Sequence, residues 1–209
     1  MKKRKINRKS FFVKNYSQSW NFIKESKNFI YTIVLIFFIT SLFGFFLPLP
    51  EQVTENILKL IQELLEKTKG MSQLELIAFI FLNNIQSSFF GIIFGILLGI
   101  FPIIAAIANG FVLGFVASLS VSSEGFFVLW RILPHGLFEL PAIFISFGLG
   151  LKIGTFIFQE KKFESFKNYL HNALRVFLFI IIPLLITAAI IEGTLVFFLV
   201  KLILYTLIS

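Results

Sequence analysis

The chain has 209 residues, 57% of them apolar and 14% charged, with 30 phenylalanines and a net charge of +8. A water-soluble domain of this length is far less apolar, so the composition excludes an ordinary globular protein. The absence of cysteine excludes disulfides, thiolate metal sites and cysteine nucleophiles, and all eleven acidic residues are Glu.

Residues 1–28 carry nine Lys or Arg against a single acid, Glu25. Such a block reads as a positive-inside anchor that keeps the N-terminus cytoplasmic. No basic fold studded with aromatics accompanies it, so nucleic acid is not an expected partner. Phe12, Tyr16, Trp20 and Ile23 recur at three- to four-residue steps. That spacing predicts a short helix on the inner leaflet, with lysines reaching for anionic headgroups.

Residues 29–209 read as one polytopic membrane domain. The first apolar run, 29–49, is long enough to span. It is not a cleavable signal, because Leu47-Pro48-Leu49-Pro50 offers no small-residue cleavage site. Residues 51–70 are amphipathic: Val53, Ile57, Leu60, Ile61 and Leu64 keep a helical period, and Glu55–Lys59 and Glu63–Lys67 are favourable i,i+4 pairs. Pro50 and Gly70 stand at the ends expected of a helix. This helix is expected at the outer face, resting on the bilayer or docking a protein partner.

The second span, 74–101, is interrupted by Asn83, Asn84, Gln86, Ser87 and Ser88, then carries Gly91, Gly95 and Gly99. A small residue at every fourth position forms a ridge that another helix can approach closely, from the same chain or from a second copy in a homo-oligomer. The third span, 102–119, starts at Pro102 and repeats the theme with Asn109-Gly110 and Gly114. A short polar loop, 118–125, precedes the fourth span, 126–151. A basic cytoplasmic loop is expected at 152–175, with Lys152, Lys161, Lys162, Lys167 and Arg175 against Glu160 and Glu164. The rest is apolar from Val176 onward, broken only by Pro183, Glu192-Gly193 and Lys201. As one straight helix it is about 50 Å long, against a hydrocarbon core of ~30 Å. Either a tilted fifth span, 176–200, projects beyond the bilayer, or the chain breaks near Gly193 and turns back as a sixth. The fold class is therefore an all-α integral membrane protein of five or six transmembrane helices. It is a multi-pass protein of the cell membrane, with the N-terminus inside.

The fourth span holds the densest chemistry. Arg131, His135 and Glu139 follow one another at intervals of four, so on a helix they share one face and form a polar stripe about 12 Å long. Each is costly in hydrocarbon, roughly 2.5–3.5 kcal/mol for Arg on insertion scales. Pro134 and Pro141 each remove a backbone donor and crowd the carbonyl four residues back, and Gly136 adds flexibility between them. The sequence thus predicts a broken fourth helix, tolerated only where the freed backbone faces protein or a wet cavity.

With Asn84, Asn109 and Glu192, the stripe makes up a candidate polar centre. One reading is structural: the charges neutralise one another and the Asn side chains satisfy the helix breaks. A second is a cation or proton site on His135 and Glu139. Two protein ligands are too few for a metal, so Glu192 or an Asn has to complete the shell, and His171, in the basic loop, is poorly placed to help. Against a transporter, no clear inverted repeat is visible. A third is an intramembrane hydrolase, although there is no GxSxG elbow, no HExxH, no P-loop and no Asp for a Ser-His-Asp triad. No cofactor or metal is called for.

Leu133-Pro134-His135-Gly136, followed by Phe138-Glu139-Leu140-Pro141-Ala142, resembles the signature of the stage II sporulation protein M family, small polytopic membrane proteins of bacteria and archaea. The resemblance covers most of the chain. Asn109-Gly110 and Ala188-Ala189-Ile190-Ile191-Glu192 are similar to further features of the family, and Asn83-Asn84-Ile85-Gln86 looks closer to its archaeal members. The resemblance implies a non-enzymatic scaffold with protein partners in the membrane or outside the cell. In endospore formers the namesake recruits peptidoglycan-degrading partners to the septum during engulfment.

Overall fold

The structure, a computed structural model, describes the backbone of residues 8–208 and the side chains of residues 11–129, 136 and 139–198. Among the described residues there is no strand. The helices in chain order are α1 (Arg8–Glu25), α2 (Lys27–Phe46), α3 (Glu51–Thr68), α4 (Gln73–Ile93), α5 (Ile100–Glu124), α6 (Leu129–Gly154), α7 (Lys162–Val176) and α8 (Ile182–Ile208). Five stretches are long and apolar enough to cross a membrane: α2, α4 with the turn after it, α5, the later part of α6, and the continuous rod formed by α7 and α8. Five or six helical spans were expected, and five are found among the described residues.

Each boundary has a local cause. Between α1 and α2 the helix is interrupted only at Ser26, whose hydroxyl donates to the Phe22 carbonyl at 2.6 Å. The α2 helix closes with the Leu47 amide on Phe43. Pro48 and Pro50 follow, and neither has an amide with which to continue. The α4 helix opens on a reciprocal cap: Glu75 N–H donates to the Ser72 hydroxyl, and Ser72 N–H donates to the Glu75 carboxylate at 2.7 Å.

The turn between the second and third spans falls at Leu97–Gly99, earlier than the expected boundary at 101/102. A 3-10 turn (Phe94–Ile96) leads into Leu98 and Gly99, both left-handed at φ 57° and 70°. Only a glycine holds such a conformation without strain. Pro102 then lies in the first turn of α5 and is fully buried, where its missing donor has no intrahelical role.

The expected polar loop at 118–125 is instead the end of α5, which runs to Glu124 and stops at Gly125. Ser120, Ser122 and Ser123 turn their hydroxyls back onto carbonyls of their own helix, on Val116, Ser118 and Leu119, so polar residues continue the helix rather than end it. The basic segment 152–175 is also mostly helical. It comprises the end of α6, a 3-10 turn (Thr155–Phe158) and α7. Its charges lie along an amphipathic helix rather than in a loop.

The broken fourth helix expected from Pro134, Gly136 and Pro141 is not found: α6 keeps helical hydrogen bonding from Leu129 to Gly154. A proline removes one bond and leaves its neighbours, and from Leu140 onward packing on both sides of α6 holds the helix. The chain relaxes around a different proline. A π-turn (Phe177–Ile181) joins α7 to α8 immediately before Pro183, widening the helix where the proline ring crowds the preceding turn. The alternative of a reversal near Gly193 is also excluded, because α8 passes through that residue as helix.

The register of side-chain contacts gives the directions. Gly110 of α5 abuts Phe37 and Thr40 of α2, and Gly114 abuts Ser41. The numbers rise together, so α2 and α5 are parallel. Likewise Gly91, Gly95 and Gly99 meet Phe147, Gly150 and Leu151, so α4 and α6 are parallel. Conversely, Gly148 of α6 meets Ile30 of α2, and Gly193 of α8 meets Ile77 of α4. These are antiparallel pairs, as an up-down membrane chain demands.

Helix α6 is central. In its apolar window 61% of residues are buried, against 17–39% in the other spans. One side packs with α2 and α5 through Ile33, Phe37, Ala106, Ile143, Phe144 and Phe147. The other side packs with α1, α4, α7 and α8 around Leu149, Ile153, Val176 and Ile181. Phe37 and Phe144 meet edge to face at 5.0 Å.

A methyl group on Gly114 would strike the Ser41 backbone, whereas one on Gly136 meets, among the described atoms, only the Leu140 side chain. Gly114→Ala is therefore expected to cost about 1–3 kcal/mol, and Gly136→Ala to be neutral or slightly stabilising through helix propensity. Thermal unfolding of the detergent-solubilised variants measures both.

Candidate functional site

Of the six residues proposed for a polar centre, three come together where α4, α6 and α8 meet. Glu139 of α6 hydrogen-bonds through its carboxyl group to Glu192 of α8 and to the side chain of Asn84 on α4. Asn84 is 6% exposed. The Asn84 amide supplies a neutral partner beside the two carboxyl groups. Hydrocarbon around the bundle makes any of these groups costly alone. Together they fasten the three helices at one level.

A second polar contact lies further along the same α4–α6 seam, where the Ser146 hydroxyl donates to the Ser88 carbonyl. A third, between Gln73 and Thr194 at 3.1 Å, ties the start of α4 to α8. Arg131, Pro134 and His135 lie outside the described side chains, so the stripe they were expected to form with Glu139 is seen only as a shared stretch of helix. Among the described residues no group of three His, Cys, Asp or Glu could hold a metal ion.

Asn109 stands apart. It is exposed on the outer surface of α5, and its amide donates to the Ala105 carbonyl of its own helix at 2.7 Å. The reason is one of phase: Gly110, the next residue, turns inward against α2, and successive residues on a helix point about 100° apart. His171 is also exposed, with its Nε2 2.8 Å from the Arg175 guanidinium. The Gly91, Gly95 and Gly99 ridge is occupied from within the chain by α6.

Lys152 was not among the residues singled out for the site. Read as one more basic residue of a loop, it is 8% exposed. Its ammonium donates to the Ser26 hydroxyl at 3.1 Å and lies over the Phe22 ring at 4.2 Å and the Tyr169 ring at 5.3 Å. A cation held between two aromatic faces gains from the quadrupole of each. Four elements converge on this one group: the end of α1, the Ser26 junction, α6 and α7. The available signal was a lone lysine within Gly148-Leu-Gly150-Leu-Lys152-Ile-Gly154, a stretch otherwise suited to close packing.

Five apolar helical spans of alternating direction, three of them joined by a carboxyl pair and an amide, define a multi-pass α-helical membrane protein. Residues 33–196 match the family described as Stage II sporulation protein M, and since this is well over half of the chain, the protein belongs to that family. No curated protein and no solved structure matches it.

The two asparagines separate by their surroundings. Asn84→Leu strands a buried carboxyl group and is expected to destabilise by about 1–3 kcal/mol, whereas Asn109→Leu, which faces outward, is expected to be neutral. Melting temperatures in one detergent compare them. For the ammonium, Lys152→Ala is expected to lower hydrogen-exchange protection across α1 while leaving α4 and α5 protected. Uniform loss across all helices would show that Lys152 holds the whole bundle rather than its basic end.

Proposed function

We propose that the protein is a non-enzymatic membrane scaffold or complex subunit that meets its partner through α3. The observation that supports this reading is the state of α3 itself. It projects from the bundle end opposite α1 and α7, and none of its residues is buried. Yet it carries Val53, Leu60 and Leu64 along one side, 39%, 64% and 50% exposed. An amphipathic helix of this kind needs an apolar surface to lie on. The partner class that the family suggests is a peptidoglycan-degrading enzyme or another envelope protein. The basic block of residues 1–28 supports a cytoplasmic N-terminus, which places α3 outside the cell, where such a partner works.

A second reading, a transporter, channel or export component, is favoured by the Glu139–Glu192–Asn84 contact, since ionisable groups inside membranes often mark ion or proton paths. The two readings separate in one set of variants. A photo-crosslinking residue at Leu60 or Leu64 of the full chain, in its own membrane, is expected to give a discrete adduct with an envelope protein. Glu139→Gln is expected to leave that adduct unchanged. Adducts with lipid alone, together with a folded Glu139→Gln variant that has lost a measurable ion flux in vesicles, would reject the scaffold in favour of transport.

A further inference from the structure

Helix α1 is covered towards its end, where Ser19 and Phe22, with Ser26 just beyond it, are buried against the bundle, at 0%, 5% and 0% exposure. Nearer its start, Phe12 and Tyr16 on the same side of the helix are about half exposed, as is Trp20. The buried face follows α7 in the reverse direction. Phe22 packs with Ala173 and Val176, while Phe11 and Phe12, nearer the start of α1, set their rings edge-on against Phe179 at 6.3 and 6.1 Å. The start of α1 therefore reaches the π-turn, where the rod leaves its amphipathic part and becomes wholly apolar.

A groove of about 600 Å³ opens at this meeting, within the size range of small-ligand sites. One wall is Phe12, Val13 and Tyr16 of α1; the other is Leu178, Phe179 and Pro183 of the rod. The second wall belongs to an apolar membrane span, and further along it Ile186 and Ile190 remain exposed on the same helix. Apolar surface thus runs on from the groove towards the bilayer interior. The π-turn contributes directly, because the widened turn at Phe177–Ile181 and the Pro183 ring move this surface off the regular helical path.

Basic residues border the groove on the α1 side. Exposed Lys14 directly follows Val13 of the groove wall, and Arg8 and Lys9 lie in the first turn of α1. α1 contains one acid, Glu25, at its far end, beside Lys152. Tyr16 adds a phenol to the rim, suited to the boundary between acyl chains and headgroups.

We propose that this groove is a binding site for one anionic glycerophospholipid of the leaflet that α1 lies on. An acyl chain occupies the space between α1 and the π-turn, and the phosphate lies by the basic first half of α1. The groove opens along a membrane span, so lipid reaches it from the bilayer by lateral diffusion, and the apolar walls match a hydrocarbon chain. The cationic rim favours an anionic over a zwitterionic headgroup. The bound lipid completes the packing of α1 on the bundle. This site is independent of α3 and of the scaffold reading.

The test uses the full chain with Trp130→Phe. The chain has two tryptophans, so Trp20, one turn beyond Tyr16, then remains as the only fluorescent reporter of its kind. The protein is reconstituted in zwitterionic vesicles containing a small fraction of brominated phosphatidylglycerol or, separately, brominated phosphatidylcholine. Trp20 quenching is expected to show the anionic lipid enriched about fivefold over its bulk fraction, the equivalent of a single basic side chain near the headgroup. Val13→Phe and Leu178→Phe fill the groove from opposite walls, and each is expected to abolish the enrichment. Lys14→Gln is expected to reduce it. Ile190→Phe, on the same span but outside the groove, is expected to preserve it. Melting curves identify any filling variant that fails to fold, and the other wall's variant then carries the comparison. Equal quenching by the two brominated lipids overturns the proposal. So does enrichment that survives filling of the groove, or protection of Trp20 by a second copy of the chain, seen as a crosslinked dimer.

Discussion

The bundle depends on backbone coming very close to backbone. In hydrocarbon an apolar side chain gains nothing by leaving lipid for protein, so helices associate through dispersion contacts and hydrogen bonds at short range. Glycine permits that range. Gly95 lies against the backbone of Gly150, Gly114 against Ser41, and Gly154 against the Leu98–Gly99 turn. These contacts fix the distances and registers of the pairs α2–α5 and α4–α6. The polar contacts then act within a frame already set. Glu139 can meet Glu192 and Asn84 because the ridges of α4 and α6 hold those helices in step.

Much of this was legible in the sequence, and the exceptions share a cause. The spans, the amphipathic α3 and the small-residue ridge all depend on local composition or period, which a sequence carries openly. Gly91, Gly95 and Gly99 announced a close helix contact, and α6 supplies it. What the sequence withheld were outcomes of competition. Pro134 and Pro141 argue locally for a break, but α6 stays helical through both, and from Leu140 onward it is packed on more than one side. Pro183 lies where one side of the rod is less crowded, and there the helix does yield. Ser118 to Gly125 reads as a loop by polarity, but serine hydroxyls can be satisfied by their own helix.

The candidate site shows the same division. Asn84, Glu139 and Glu192 could be grouped from the sequence by the cost of burying them. Asn109 was grouped with them on the same reasoning, but a difference of one residue in helical phase sets it on the outside. Lys152 was counted with the surface charges because charge alone carries no direction. Its position depends on Phe22 and Tyr169, which are 130 residues before it and 17 after it in the chain and are brought together only by the fold. Burial of one ammonium there makes the basic end of the molecule a packed layer rather than a set of loose extensions.

The two glycine-mediated pairs are also interleaved along the chain: the first span joins the third, and the second joins the fourth. No pair is complete when its first member leaves the ribosome. α2 has to remain in the membrane with its contact face open until α5 follows, and α4 has to wait in the same way for α6. Assembly during synthesis cannot proceed one hairpin at a time. The α2–α5 pair closes only after α5 is inserted and the α4–α6 pair only after α6, and a ribosome stalled before either point leaves the waiting helix open to whatever neighbour the membrane offers.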